Sequence, residues 1–99
     1  MAQIGIFTRG DDGAFTGTIR TLNIYVRATI KPVAKDNERS PDYRVIANGV
    51  ELGAGWRKAA KDTGAEYVSV KLDDPSFTAP IYATLVQGDN REHKLIWSR

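Results

Sequence analysis

Asn48-Gly49 constrains this chain more than any other feature. Both residue types accept positive φ, as the two central positions of a type I′ turn require, and that turn joins antiparallel strands through a two-residue loop. On either side, apolar and polar residues alternate with a period of two, which sends successive side chains to opposite faces of a strand. A two-residue loop pairs Ala47 with Val50, Val45 with Leu52 and Tyr43 with Ala54. Those residues and Trp56 then share one apolar face of a hairpin over 43–56. Arg44, Ile46, Glu51, Gly53 and Arg57 take the other face.

A second turn at Lys61-Asp62-Thr63-Gly64 extends the pattern, with Gly64 suited to the left-handed position that closes a three-residue loop. That register pairs Trp56 with Val70, Arg57 with Ser69 and Lys58 with Val68. It sets Val68, Val70 and Leu72 inside with Trp56, and Tyr67, Ser69 and Lys71 outside with Arg57. An Asp-Pro corner over 72–77 ends this strand, because proline cannot extend the ladder and aspartate bonds nearby amides. Phe77 is placed to plug one end of the core.

The rest of the chain follows the same grammar. A first strand runs from Gln3 to Thr8 with Ile4 and Ile6 on one face, and Arg9-Gly10-Asp11-Asp12-Gly13 turns it. Over 14–31 the apolar positions change parity near Arg20–Leu22, from Phe15 and Ile19 to Leu22, Ile24, Val26, Ala28 and Ile30. A continuous strand cannot change faces without a bulge or bend, so this is one sharply curved strand or two strands meeting there. The polar segment 32–41, bounded by prolines, is expected to be a mobile connection. Strands over 80–87 (Ile81, Ala83 and Leu85 inward) and 93–98 (Leu95 and Trp97, or Ile96, inward) complete the chain. The expected fold is therefore all-β: one domain over 1–99, a small antiparallel barrel or sandwich of about six or seven strands. The five-stranded OB barrel, with its long bent first strand, is one form this could take.

Composition narrows the function. The 99 residues contain no cysteine, which excludes disulfides, thiolate metal sites and cysteine nucleophiles. The N-terminal residues lack the basic start and apolar run of a signal peptide, and no stretch approaches the roughly 18 apolar residues of a membrane span. A cytoplasmic protein without a membrane partner is expected. The net charge of +2 permits a polyanionic partner without demanding one.

Candidates for catalysis are few. His93 is the only histidine, at a strand start between Glu92 and Lys94. Asp11-Asp12 and Asp73-Asp74 lie beside Gly and Pro, where carboxylates serve turns, and neither has the spacing of a calcium loop. No H-E-x-x-H, G-x-S-x-G or phosphate-binding glycine loop occurs. A non-enzymatic protein with no cofactor or metal is the expectation. The outward face of the second hairpin carries more. Arg57, Tyr67 and Lys71, with Arg44 beside them, interleave cations with an aromatic ring, which is what single-stranded nucleic acid needs for its phosphates and bases. A rival reading is protein interaction or self-association through an unpaired first or last strand. Parity puts Trp56 in the core.

Several blocks resemble a known family: P-D-Y-R-V at 41–45, G-V-E-L-G-A-G-W-R-K at 49–58, Y-V-S-V-K-L-D-D-P-S-F at 67–77 and L-I-W-S-R at 95–99. With G-T-I-R-T-L at 17–22 and P-I-Y-A at 80–83, they are similar to the bacterial family known as domain of unknown function 736. The resemblance covers nearly the whole chain. It implies a small protein found among genes of plasmids and integrative elements, a setting that favours a DNA-related role. It implies no catalytic or binding residues.

Overall fold

Each alternating run becomes a strand. The computed structural model describes residues 2–22 and 24–97. It contains β1 (Ala2–Arg9), β2 (Phe15–Arg20), β3 (Tyr25–Pro32), β4 (Tyr43–Ala47), β5 (Val50–Ala59), β6 (Glu66–Leu72), β7 (Ile81–Gln87) and β8 (Glu92–Trp97). The eight strands pair antiparallel in chain order, and β1 closes the barrel on β8. This is an up-and-down meander rather than the Greek-key order of an OB barrel. The parity change over 14–31 is resolved by a hairpin, so the two-strand alternative holds. Thr21 N donates to the Ile24 carbonyl at 2.7 Å, and Ile24 N to Thr21 Oγ1 at 3.1 Å. The expected end of the last strand, Ser98, lies outside the described residues.

An eight-stranded barrel has an interior just wide enough for side chains to fill. Phe7, Ile30, Val45, Val70, Leu85 and Leu95 fill it, each at most 1% exposed. Among the described residues no polar or charged residue is buried. Asn48 (φ 53°) and Gly49 (φ 75°) form the expected primed turn. Ile81, Ala83, Leu85, Leu95 and Trp97 take the inward positions, and Phe77 packs partly against the core.

Two bulges change what parity implied. In β5, Leu52 is an extra residue: Ala47 faces Val50 as expected, but Val45 faces Gly53 and Tyr43 faces Gly55. A slip of one residue exchanges the faces of everything downstream. Gly55 opposes Val70, Trp56 opposes Ser69 and Arg57 opposes Val68. Trp56 is therefore on the outer wall and Arg57 in the inward series, the reverse of the sequence-based expectation. The cause is space. A Cβ on Gly53 would lie 2.4 Å from the Lys71 carbonyl oxygen, and one on Gly55 would lie 2.8 Å from Val68 Cγ1. Neither position has room for a side chain. In β1 the register shifts between Gln3 and Gly5, so Ile4 is buried at 8% while Ile6 is 48% exposed. The expected common face of Ile4 and Ile6 is lost.

Closure bears on the rival reading of an exposed strand edge. β1 and β8 pair with each other, β2 covers β1 from Gly5 to Arg9 and β7 covers β8 from His93 to Trp97, so the free edge that reading needs is reduced to the β2 side of Ala2–Ile4. No described helix is long and apolar enough to cross a membrane.

Candidate nucleic-acid interface

Antiparallel pairing turns single positions on five strands into one row. Lys31 on β3 faces Arg44 on β4, Arg44 faces Ala54 on β5, Ala54 faces Lys71 on β6, and Lys71 faces Tyr82 on β7. The inward neighbours Ile30, Val45, Val70 and Ala83 are buried, so this row lies on the outer wall. At roughly 4.8 Å per strand, its four steps span about 19 Å. A parallel row beside it holds Trp56, Ser69, Thr84 and Ile96, and Lys58 faces Tyr67 one row further on.

Of the residues expected to form the site, Arg44, Tyr67 and Lys71 share this wall and Arg57 does not. Arg57 Nη2 instead donates to Tyr43 Oη at 3.0 Å, and its guanidinium carbon lies 5.7 Å from the Tyr43 ring centre. The hydrogen bond to Tyr43 is the main cause of its raised pKa, with Asp42 and Glu66 adding to it. The bulge at Leu52 moved Arg57 to the rim of the barrel. The only advance signal was glycine after an apolar residue inside a strand, a mark of bulges.

The wall gains residues the sequence reading passed over. Tyr82 was legible by parity, since Ile81 and Ala83 point inward. Its ring centre lies 6.0 Å from Lys71 Nζ, and it is 61% exposed. Lys31 joins the row only because β3 pairs with β4. Arg44 donates from Nη1 to Glu51 Oε1 at 2.9 Å, both side chains about half exposed. Such a pair contributes at most about 1 kcal/mol and leaves the cation open to exchange for a phosphate. Trp56 is half-buried on the wall because the 33–42 segment lies against it: Trp56 Nε1 donates to the Arg39 carbonyl at 3.0 Å. The same segment is tied by Asp42 Oδ2, which accepts from Arg57 N at 2.8 Å, and by the Lys35–Asp42 ion pair at 3.4 Å. The connection expected to be mobile is fastened to the barrel.

His93 is half-buried at the mouth that Arg57 borders. Its ring meets Phe15 edge-on at 4.8 Å, and its Nδ1 lies 3.1 Å from the Arg91 carbonyl. A carbonyl only accepts, so Nδ1 carries the proton in that bond. Asp11 and His93 line one shallow hollow, but the Asp11 carboxylate is paired with Arg91. Asp74 accepts from Ser76, and Asp12 Oδ1 from Ala14 N, so both act as turn residues. No group of three described histidine, aspartate or glutamate side chains has the arrangement of a metal site.

Fold and surface define a small closed meander barrel with a cationic and aromatic outer wall. The chain belongs to the family described as Protein of unknown function (DUF736), which it matches over residues 3–99. No curated protein and no solved structure matches it.

Proposed function

We propose that this barrel is a non-enzymatic binding module whose outer wall takes single-stranded nucleic acid across β3 to β7. The observation that carries this reading is the Lys31–Arg44–Ala54–Lys71–Tyr82 row, three cations and an aromatic ring in direct register. Ala54, the small residue in the middle, lets a backbone lie close to the sheet between Arg44 and Lys71. Tyr82 and Tyr67 offer π-faces to unpaired bases, and base–aromatic stacking contributes about 1–3 kcal/mol per base without demanding a sequence. A duplex hides those base faces, so single strands are preferred. The DNA-related setting implied by the family resemblance agrees with this reading by association alone.

The test is fluorescence anisotropy with a labelled oligothymidylate of about fifteen nucleotides, a length within the range of small β-barrel modules, and with a duplex of equal length. Single-strand binding is expected to weaken with salt. The Arg44→Ala/Lys71→Ala double variant is expected to bind about tenfold more weakly, with a log–log salt slope shallower by about 1.4. Arg57→Ala should bind within about twofold of the parent, since its guanidinium is engaged with Tyr43 at the rim. No binding at low salt sinks the reading. Loss in Arg57→Ala with binding kept in the double variant sinks the assignment of the wall.

A further inference from the structure

At the end of the barrel away from Arg57 the interior is not filled. A hollow of about 390 Å³ opens there, lined by Ile4, Ile24, Val26, Leu52, Phe77 and Ile81 among others. Both bulged residues, Ile4 and Leu52, line it. Bulges re-aim side chains and concentrate at barrel rims and beside sites. The wall is also open at this point, because β4 begins its pairing with β3 only at Ala28 and leaves Tyr25–Arg27 without a β4 partner. An apolar concavity of this size lies within the range of small-molecule sites, which add a few polar groups to fix orientation.

One ionised side chain lines the hollow, Asp74. Its Oδ2 accepts from both the backbone N and the hydroxyl of Ser76, at 2.9 and 2.5 Å. Oδ1 has no partner among the described residues. The bonds from Ser76 hold the carboxyl below its ordinary pKa, so it stays anionic at neutral pH. Arg20, the cation at the end of β2, is engaged with the Tyr25 ring at 5.4 Å and does not neutralise Asp74.

We infer that this mouth is a binding site for a small ligand with an apolar body and a cationic or amine head, the body seated among Ile24, Leu52, Phe77 and Ile81 and the head on Asp74. The site is separate from the outer wall and does not depend on what that wall binds.

The probe is 2-phenylethylammonium, titrated against the methyl resonances of Ile24, Leu52 and Ile81 by NMR, with 3-phenylpropionate as the anion of similar size. The ammonium should shift those methyls saturably and bind about threefold or more tightly than the carboxylate, as a half-exposed ion pair allows. Asp74→Asn should abolish that preference, and Ile24→Phe should weaken both probes by narrowing the hollow. Absence of saturable shifts, equal affinities, or a preference that survives Asp74→Asn overturns the inference. If Asp74→Asn does not fold, salt decides on the parent protein. The preference must shrink between roughly 0.02 and 0.3 M salt, and a constant preference overturns the inference.

Discussion

The two mouths of the barrel differ in how they end the core. At one, Phe15 is 4% exposed and sits between two rings, meeting Tyr43 at 5.8 Å and His93 at 4.8 Å, both edge-on. Arg57 lies over Tyr43 and bonds its hydroxyl, so the aromatic plug is sealed by a cation whose charge stays in water. At the other mouth Ile24, Leu52, Phe77 and Ile81 are only partly buried and surround a hollow. The connections differ as well. Beside the first mouth, the long 33–42 segment is fastened to the outside of β5 at Trp56 and Arg57. The second is bordered by the two-residue β4–β5 turn, too short to fold over the opening, and by the 73–80 segment, which lends Asp74, Ser76 and Phe77 to the lining of the hollow without closing it. Interlocked rings exclude solvent where mostly aliphatic side chains around an open wall do not.

The strongest way to break this comparison is Phe15→Ala. Removing a buried ring costs about 3–4 kcal/mol, which urea denaturation at neutral pH measures. A loss below about 1 kcal/mol would mean that the plug does not hold its mouth. Phe77→Ala at the open mouth is expected to cost about 1 kcal/mol in the same assay, because its half-exposed ring leaves less apolar area to lose. Equal costs for the two phenylalanines would erase the distinction.

The smallest effect sharpens the account of the fastened segment. Asp42 is held below the ordinary carboxylate pKa first by the hydrogen bond from Arg57 N, with Lys35 helping against a modest burial penalty. A carboxylate with a depressed folded-state pKa contributes stability above its unfolded value. That contribution is lost as pH falls through the folded value. Asp42→Asn is therefore expected to lower stability by about 0.5–1 kcal/mol at neutral pH. The gap between parent and variant should close as pH falls below about 4. A gap that is constant in acid would show that the charge of Asp42 does not hold the segment.

Much of this molecule was legible before any pairing was known. Asn48-Gly49 and Gly64 took the positive-φ turn positions their chemistry implied. Alternation placed Val68, Val70, Leu72, Ile81, Ala83 and Leu85 inward and Tyr67 and Lys71 outward. The site was half legible: three of four expected residues share the wall, while Arg57 and Trp56 exchanged places because one extra residue in β5 reverses parity beyond it.

Local sequence determined which segments are strands, where they turn and, between bulges, which side chains face out. Only tertiary structure decided that the meander closes on itself and that Ile4 and Leu52 are the extra residues. It alone placed Lys31 and Tyr82 at the two ends of one cationic row and left one mouth open. The physical reason is range. Side-chain alternation and turn torsions act between neighbours along the chain, whereas bulges, closure and cross-strand rows are set by how much volume an eight-stranded interior can hold, which no single strand contains.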